Sequence, residues 1–295
     1  MKQVNDVSIP VLDQLTDVAQ QQQKGLEVFV TLYSHERLLV RLAASCYEDQ
    51  YWLYGDFLIG TLTNDYEKST TGITLCTKKM ANKDSIIKHA FKEICSMNVQ
   101  EDGIQFVSDE LEITNSNENQ IYIRIPAHLG HITTYIEITI NLFDRIAMAP
   151  KKMAIQSILD NTPIELLAYS TELMIAHKFN LLYQYPAFEQ AMKEYYDVYL
   201  LASTQNFEGR VLQEAISDTF DRHKTALEKY PSMFSKQLYL DATNNKRWQQ
   251  LVNQQTLPFD KVQKLVHQLL VPIYEEVIVE NEFFENWDYK QAIWR

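Results

Sequence analysis

Glycine and proline are scarce in this chain, 7 and 8 among 295 residues, and 46% of the residues are hydrophobic. That balance excludes collagen-like repeats and intrinsic disorder. Cysteine is scarcer still. Cys46, Cys76 and Cys95 are odd in number, widely spaced and without a C-x-x-C pair, so neither a disulfide framework nor a thiol zinc site is expected. A reducing cytoplasm suits such a chain. No stretch approaches the roughly 20 apolar residues of a membrane span. The opening MKQVNDVSIPVLDQ puts charges and a proline where a signal peptide needs an apolar run, so a cytoplasmic, unprocessed protein with no membrane partner is expected. Positive charge is also short: 27 Lys and Arg face 39 Asp and Glu, a net charge of -12. Extensive nonspecific DNA binding is therefore not expected. The G-x-S-x-G elbow, the Walker A loop and the GxGxxG fingerprint are all missing.

What the chain does contain is a change of character along its length. Val11, Leu12, Leu15 and Val18 follow Pro10 at helical spacing, and Leu38, Leu39 and Leu42 make a second apolar stripe. From Tyr51, YWLYG and TTGITLCT have strand composition and FLIGTL starts a helix between them. Asp84 opens a helix to about Met97 with Ile87, Phe91 and Ile94 on one face. The alternating runs IYIRI and TTYIEITI flank Gly130 as an antiparallel hairpin. Ile136, Ile138 and Ile140 share one face, which puts Glu137 on the other with Tyr135 and Thr139. After Pro150 strand signals fade and helical spacing takes over, from ELLAYSTELMIAHKFNLLY to DKVQKLVHQLL. The expected organisation is an α+β domain with a helical lead over residues 1–155 and a helical domain over 156–295. The late aromatics Phe283, Phe284, Trp287, Tyr289 and Trp294 are expected to clamp the chain end onto its own core.

Six segments in order, SIPVLDQL, TLYSHERLLVRLAAS, YWLYGDFL, ELMIAHKFNLL, MKEYYDVYLLA and LLVPIYEE with Trp287 and Trp294 beyond it, resemble the AbiEii/AbiGii toxin family of nucleotidyltransferases. The resemblance implies a nucleotidyltransferase-like mixed sheet flanked by helices plus an all-helical C-terminal domain, with Mg²⁺ and a nucleoside triphosphate as ligands. It also implies a role in toxin-antitoxin or phage-defence systems, with RNA or an antitoxin protein as further partner.

Nucleotidyl transfer needs an acceptor oxygen to attack an α-phosphate, and two magnesium ions to neutralise the phosphates. The family holds them with T-R-D-[LI]-D-L on one strand, where aspartates two apart face the same way, and a third carboxylate on a neighbouring strand. Here the segment reads Thr70-Thr71-Gly72-Ile73-Thr74-Leu75, so Gly72 and Thr74 replace both aspartates. The preceding L-K-G-G becomes Leu53-Tyr54-Gly55-Asp56, with Asp56 set to crowd and repel phosphate. Glu137 stands at the third carboxylate and is the one metal-ligand and catalytic candidate left on the sheet.

In the helical domain Lys193, Glu194 and Asp197 match K-D-x-x-D, and Lys178 matches the lysine of E-K-F while His177 replaces its glutamate. The resemblance thus implies Glu137, Lys193 and Asp197 as catalytic residues, and Gly55, Asp56, Thr70 and Lys178 as nucleotide-binding ones. Three readings follow: a degenerate or weakened transferase, a noncatalytic partner-binding protein, or a working enzyme whose cage is rebuilt from Asp56, Asp65, Glu67 or Asp144. His128 and His131 bracket the hairpin turn without a third ligand nearby, so zinc is not expected.

Overall fold

The computed structural model describes residues 7–295 except 82, 98, 100–101, 144–148, 160–161, 189, 252–256 and the side chain of 239. Asp144 therefore lies outside the described residues. The chain divides into two compact units, Met1–Tyr169 and Ser170–Arg295.

In the first unit α1 (Ser8–Gln22) buries Val11, Leu15 and Ala19, and α2 (Leu26–Ala43) is buried almost all round. Its E-R-L-L-V-R-L segment places charged groups inside, where they must be paired. Glu36 accepts hydrogen bonds from Ser157 Oγ at 2.9 Å and the Ile158 amide at 3.0 Å, and Arg41 grips Asp102 with both terminal nitrogens at 2.6 and 3.2 Å. These charges tie the central helix to two loops of its own unit. His35 on the same helix is pushed down to about 4 by burial and is neutral at pH 7.

The chain continues through β1 (Trp52–Tyr54), α3 (Asp56–Thr63), α4 (Tyr66–Ser69), β2 (Ile73–Lys78) and α5 (Lys83–Ser96). Ile87, Phe91 and Ile94 form the buried face of α5, while Asp84 sits in its first turn and accepts from Ser116 Oγ instead of capping. Next come β3 (Ile104–Phe106), β4 (Glu112–Ser116), β5 (Gln120–Leu129) and β6 (Ile132–Phe143). The last two form the expected hairpin, turning at Gly130 with φ +56°.

Strands do not end at Pro150. β7 (Lys151–Ile155) and β8 (Ile164–Ala168) add a further antiparallel pair, so ELLA is strand where its leucine spacing suggested helix. The mixed sheet runs β3-β5-β6-β2-β1-β8-β7, with β4 also on β5; β2 is parallel to β6 and antiparallel to β1. Ser170 makes the break that leucine spacing hides: its Oγ accepts the Leu173 amide at 3.2 Å and caps the next helix.

The second unit comprises α6 (Thr171–Gln184), α7 (Ala191–Thr204), β9 (Phe207–Glu208), α8 (Gly209–His223), α9 (Gln237–Leu240), α10 (Ala242–Leu251), α11 (Phe259–Ile278), β10 (Asn286–Asp288) and β11 (Ile293–Trp294). Phe179 centres its core, with Tyr183, Phe220, Phe234 and Tyr274 at 5.2 to 6.2 Å in tilted and edge contacts. Among the described residues of this unit a small sheet, β11-β10-β9, stands beside the helices. Of the late aromatics Phe283 and Trp287 are buried, Trp287 donates to Ala202 O and Trp294 donates to Leu269 O, whereas Phe284, expected in the same clamp, is 70% exposed. Among the described residues no helix is long and apolar enough to cross a membrane.

Candidate functional site

The sheet face implied by the resemblance assembles as the alternation requires. Thr74 pairs with Tyr54 on one side and Thr139 on the other, while Ile136, Ile138 and Ile140 turn into the core. Glu137 is exposed on the same face as Thr139.

Position 72 is unsuited to an aspartate in backbone as well as in side chain. Gly72 has φ +126°, and a Cβ there would stand 2.8 Å from the carbonyl oxygen of Glu137. An aspartate at 72 is therefore strained twice over, by its torsion and by a contact with main chain. Gly55, φ +79°, comes close to the second position: a Cβ on it would lie 3.1 Å from Cβ and Oγ1 of Thr74. Thr74 is thus packed against the turn that leads from β1 into α3.

Glu137, Asp56, Asp65 and Glu67, the candidate acids among the described residues, are occupied by protein groups. Arg124, opposite Glu137 in the β5–β6 register, brings Nε to 3.1 Å from Glu137 Oε1 and lays its guanidinium 4.1 Å from the centroid of the Tyr135 ring. Asp56 is in the first turn of α3 and pairs with Lys68 Nζ at 3.2 Å, with Lys68 itself buried. The phosphate repulsion expected of Asp56 is offset by that lysine. Asp65 caps α4 by accepting the Lys68 amide, and Glu67 pairs with Lys24 at 2.5 Å. Thr70 donates to Glu67 O at the end of α4.

Two magnesium ions need several hard oxygen ligands in octahedral arrangement. A glycine, a packed threonine and one carboxylate held by a guanidinium do not make that set, and among the described residues no three His, Cys, Asp or Glu stand together as metal ligands. Among the described residues these donors do not fit the ion, and Asp56, Asp65 and Glu67 stand in pairs and a cap of the protein's own.

In the second unit the structure gathers a charged cluster across α6 and α7. Lys178 Nζ lies 2.5 Å from Asp197 Oδ2 and 2.7 Å from Glu194 Oε2, and the Asp197 side chain has no exposure. Lys178, from the neighbouring helix, is seated on Asp197, and helical spacing puts Lys193 on the same face of α7 as Asp197. Lys193 lies on α7 beside Glu194 and is half-buried. His177, the residue in place of the family's glutamate, is pushed down to about 4, first by burial and then by His223, Arg222 and Lys178. It is a neutral neighbour of the cluster.

Arg124 and Lys68 are the functional neighbours that sequence reasoning passed over. Arg124 was within reach of it, since counting equal steps back from the Gly130 turn pairs it with Glu137.

The sequence family described as nucleotidyl transferase AbiEii toxin, type IV TA system, matches residues 75–268, more than half of the chain. The chain belongs to the AbiEii nucleotidyltransferase toxin family. The AbiEii match begins at Leu75, directly after the two replaced positions. Two solved structures are similar: a candidate nucleotidyltransferase from Helicobacter pylori, 12% identical, covering 86% of this chain and 98% of its own with a TM-score of 0.47, and JHP933 from Helicobacter pylori, 14% identical, covering 84% and 94% with a TM-score of 0.46. Among curated proteins none matches.

Proposed function

We propose that this AbiEii-family chain has lost metal-dependent nucleotidyl transfer, or retains it only in strongly weakened form, and works by binding. The observation that carries this reading is the combination at β2 and β6: a glycine whose backbone refuses a side chain at position 72, and a Glu137 already joined to Arg124. In this reading Gly55, Asp56 and Thr70 remain as the rim of a nucleotide pocket, and Lys178, Lys193 and Asp197 remain as the family's charged cluster. Glu137 is a vestige of the third metal ligand. The partner is a nucleotide, or an RNA or antitoxin protein of a toxin-antitoxin or phage-defence pair, met in the cytoplasm.

The test is transfer itself. Purified protein incubated with each α-labelled nucleoside triphosphate, Mg²⁺ and RNA or protein acceptors is expected to leave all label in the triphosphate. Incorporation that disappears in Glu137→Ala would overturn the reading. Thermal unfolding in the same mixtures reports binding separately, because a ligand at about 100 times its dissociation constant adds roughly 2.7 kcal/mol.

A further inference from the structure

We infer that a groove on the second unit, between the end of α6 and the start of α7, takes the arginine side chain of a partner protein. Leu181, Tyr185 and Phe188 are 47%, 58% and 54% exposed. With Ala191 they line one groove of about 330 Å³, which Gln190 and Glu194 complete. Single exposed apolar residues are ordinary, but three large ones gathered in one concavity mark a surface that meets something else. The groove is built from the second unit alone and stands whether or not transfer survives.

Its shape is preformed. The Tyr185 amide donates to Leu181 O at 2.9 Å, the Phe188 amide to Tyr185 O at 3.2 Å, and the Ala191 amide to Phe188 O at 3.0 Å, so the turn from α6 into α7 is bonded at each step. Arg247 of α10 donates to Ala187 O at 2.7 Å and fixes the same turn from outside. The Tyr185 and Phe188 rings stand 6.5 Å apart, tilted by 57°. A fixed turn leaves little freedom to lose when a partner docks.

Glu194 decides the occupant. Its Oε2 accepts from Lys178 at 2.7 Å, a lysine that also serves the buried Asp197 at 2.5 Å, while its Oε1 makes no hydrogen bond among the described residues. An apolar side chain would cover the rings but bury that oxygen without a donor. A phosphate or a carboxylate would meet it with like charge, and the chain's net charge of -12 attracts cations over a longer range. Arginine satisfies both parts of the groove: its methylene stem lies along apolar surface, its planar guanidinium stacks on an aromatic face, and its N–H groups donate to a carboxylate. The volume is at the low end of ligand pockets, about 300 to 1,000 Å³, and suits one anchoring side chain.

The experiment is an NMR titration of the ¹⁵N-labelled full chain with an alanine-rich helical peptide carrying one central arginine, and with the same peptide bearing citrulline, the uncharged isostere. Saturable shifts are expected at Leu181, Tyr185, Phe188 and Ala191. The citrulline exchange should weaken binding about tenfold or more, and Tyr185→Ala and Glu194→Gln should each do the same, the size expected of a well-placed anchor contact. Glu194→Gln keeps an oxygen for Lys178 and Tyr185 is half exposed, so amide signals away from the groove should stay in place in both variants.

Binding indifferent to citrulline or to Tyr185→Ala overturns the inference, as does the absence of shifts at millimolar peptide. Free arginine amide that binds as tightly as the peptide assigns the groove to a small cation and overturns the protein partner. A single-stranded RNA oligonucleotide that displaces the peptide overturns it in favour of nucleic acid. Each of these failures leaves the loss of transfer standing, because no residue of the groove lies on the sheet.

Discussion

Asp102→Ala is expected to destabilise the first unit by about 3–5 kcal/mol, the cost of breaking a buried ion pair from one side. Asp102 and Arg41 are 8% and 7% exposed, and both terminal nitrogens of the arginine sit on the carboxylate. Asp102 also accepts the Ile104 amide at 3.1 Å, at the start of β3, and its carbonyl accepts the Tyr33 hydroxyl at 2.9 Å. Removing the carboxylate leaves the buried guanidinium to the Arg37 carbonyl and the Phe106 ring, with no counter-charge from Asp102, and frees the start of an edge strand. Urea unfolding followed by the first unit's signal should show the midpoint fall with little change in slope. The double variant Arg41→Met with Asp102→Leu should lose much less, because nothing charged is then left behind. An additive double variant would show that the pair contributes through packing rather than charge.

Lys178→Met is expected to cost about 3–5 kcal/mol by the same mechanism in the second unit, and its signature is a pH dependence. Without Lys178, Glu194 and the fully buried Asp197 both lose the cation that bridges them. A buried carboxylate left without its cation is destabilising in its charged form. Relative to the parent chain, the deficit should therefore be larger at pH 7 than at about pH 4 to 5, where carboxylates begin to be neutralised. A constant deficit across that range would mean that Lys178 contributes its packed alkyl stem and not its charge. If the variant is as stable as the parent, the cluster belongs to ligand binding rather than to the core.

How far the sequence foretells these features depends on whether they are local. The β5–β6 hairpin is local: alternation, β-branched residues and one turn glycine specify its register, and the register places Arg124 against Glu137. The buried faces of α1 and α5 follow from apolar spacing in the same way. The strands after Pro150 escaped because β7 opens with Lys151 and Lys152, as an edge strand tolerates, and because the leucines of β8 run at unbroken spacing into α6. The only local sign of that break is Ser170, a helix cap.

Non-local features were less legible. Lys178 reaches Asp197 across two helices, and no spacing within α7 reveals it. Gly72 was visible as a missing aspartate, but its left-handed torsion and its approach to the Glu137 carbonyl emerge only once β2 lies beside β6. The late tryptophans were read correctly as a clamp, since a polar-edged aromatic near a chain end has few other stable places; the small strands that carry them arise from that packing.

The central claim is that the position of the family's metal cage no longer holds a divalent cation. Titration of the full chain with Mn²⁺, followed by the electron paramagnetic resonance signal of free ion, tests it directly, because Mn²⁺ shares the oxygen-ligand preference of Mg²⁺. The predicted result is no saturable site that Glu137→Gln removes, with or without a nucleoside triphosphate. Stoichiometric Mn²⁺ binding that is lost in Glu137→Gln would contradict the account and restore the chain to the metal-dependent transferases.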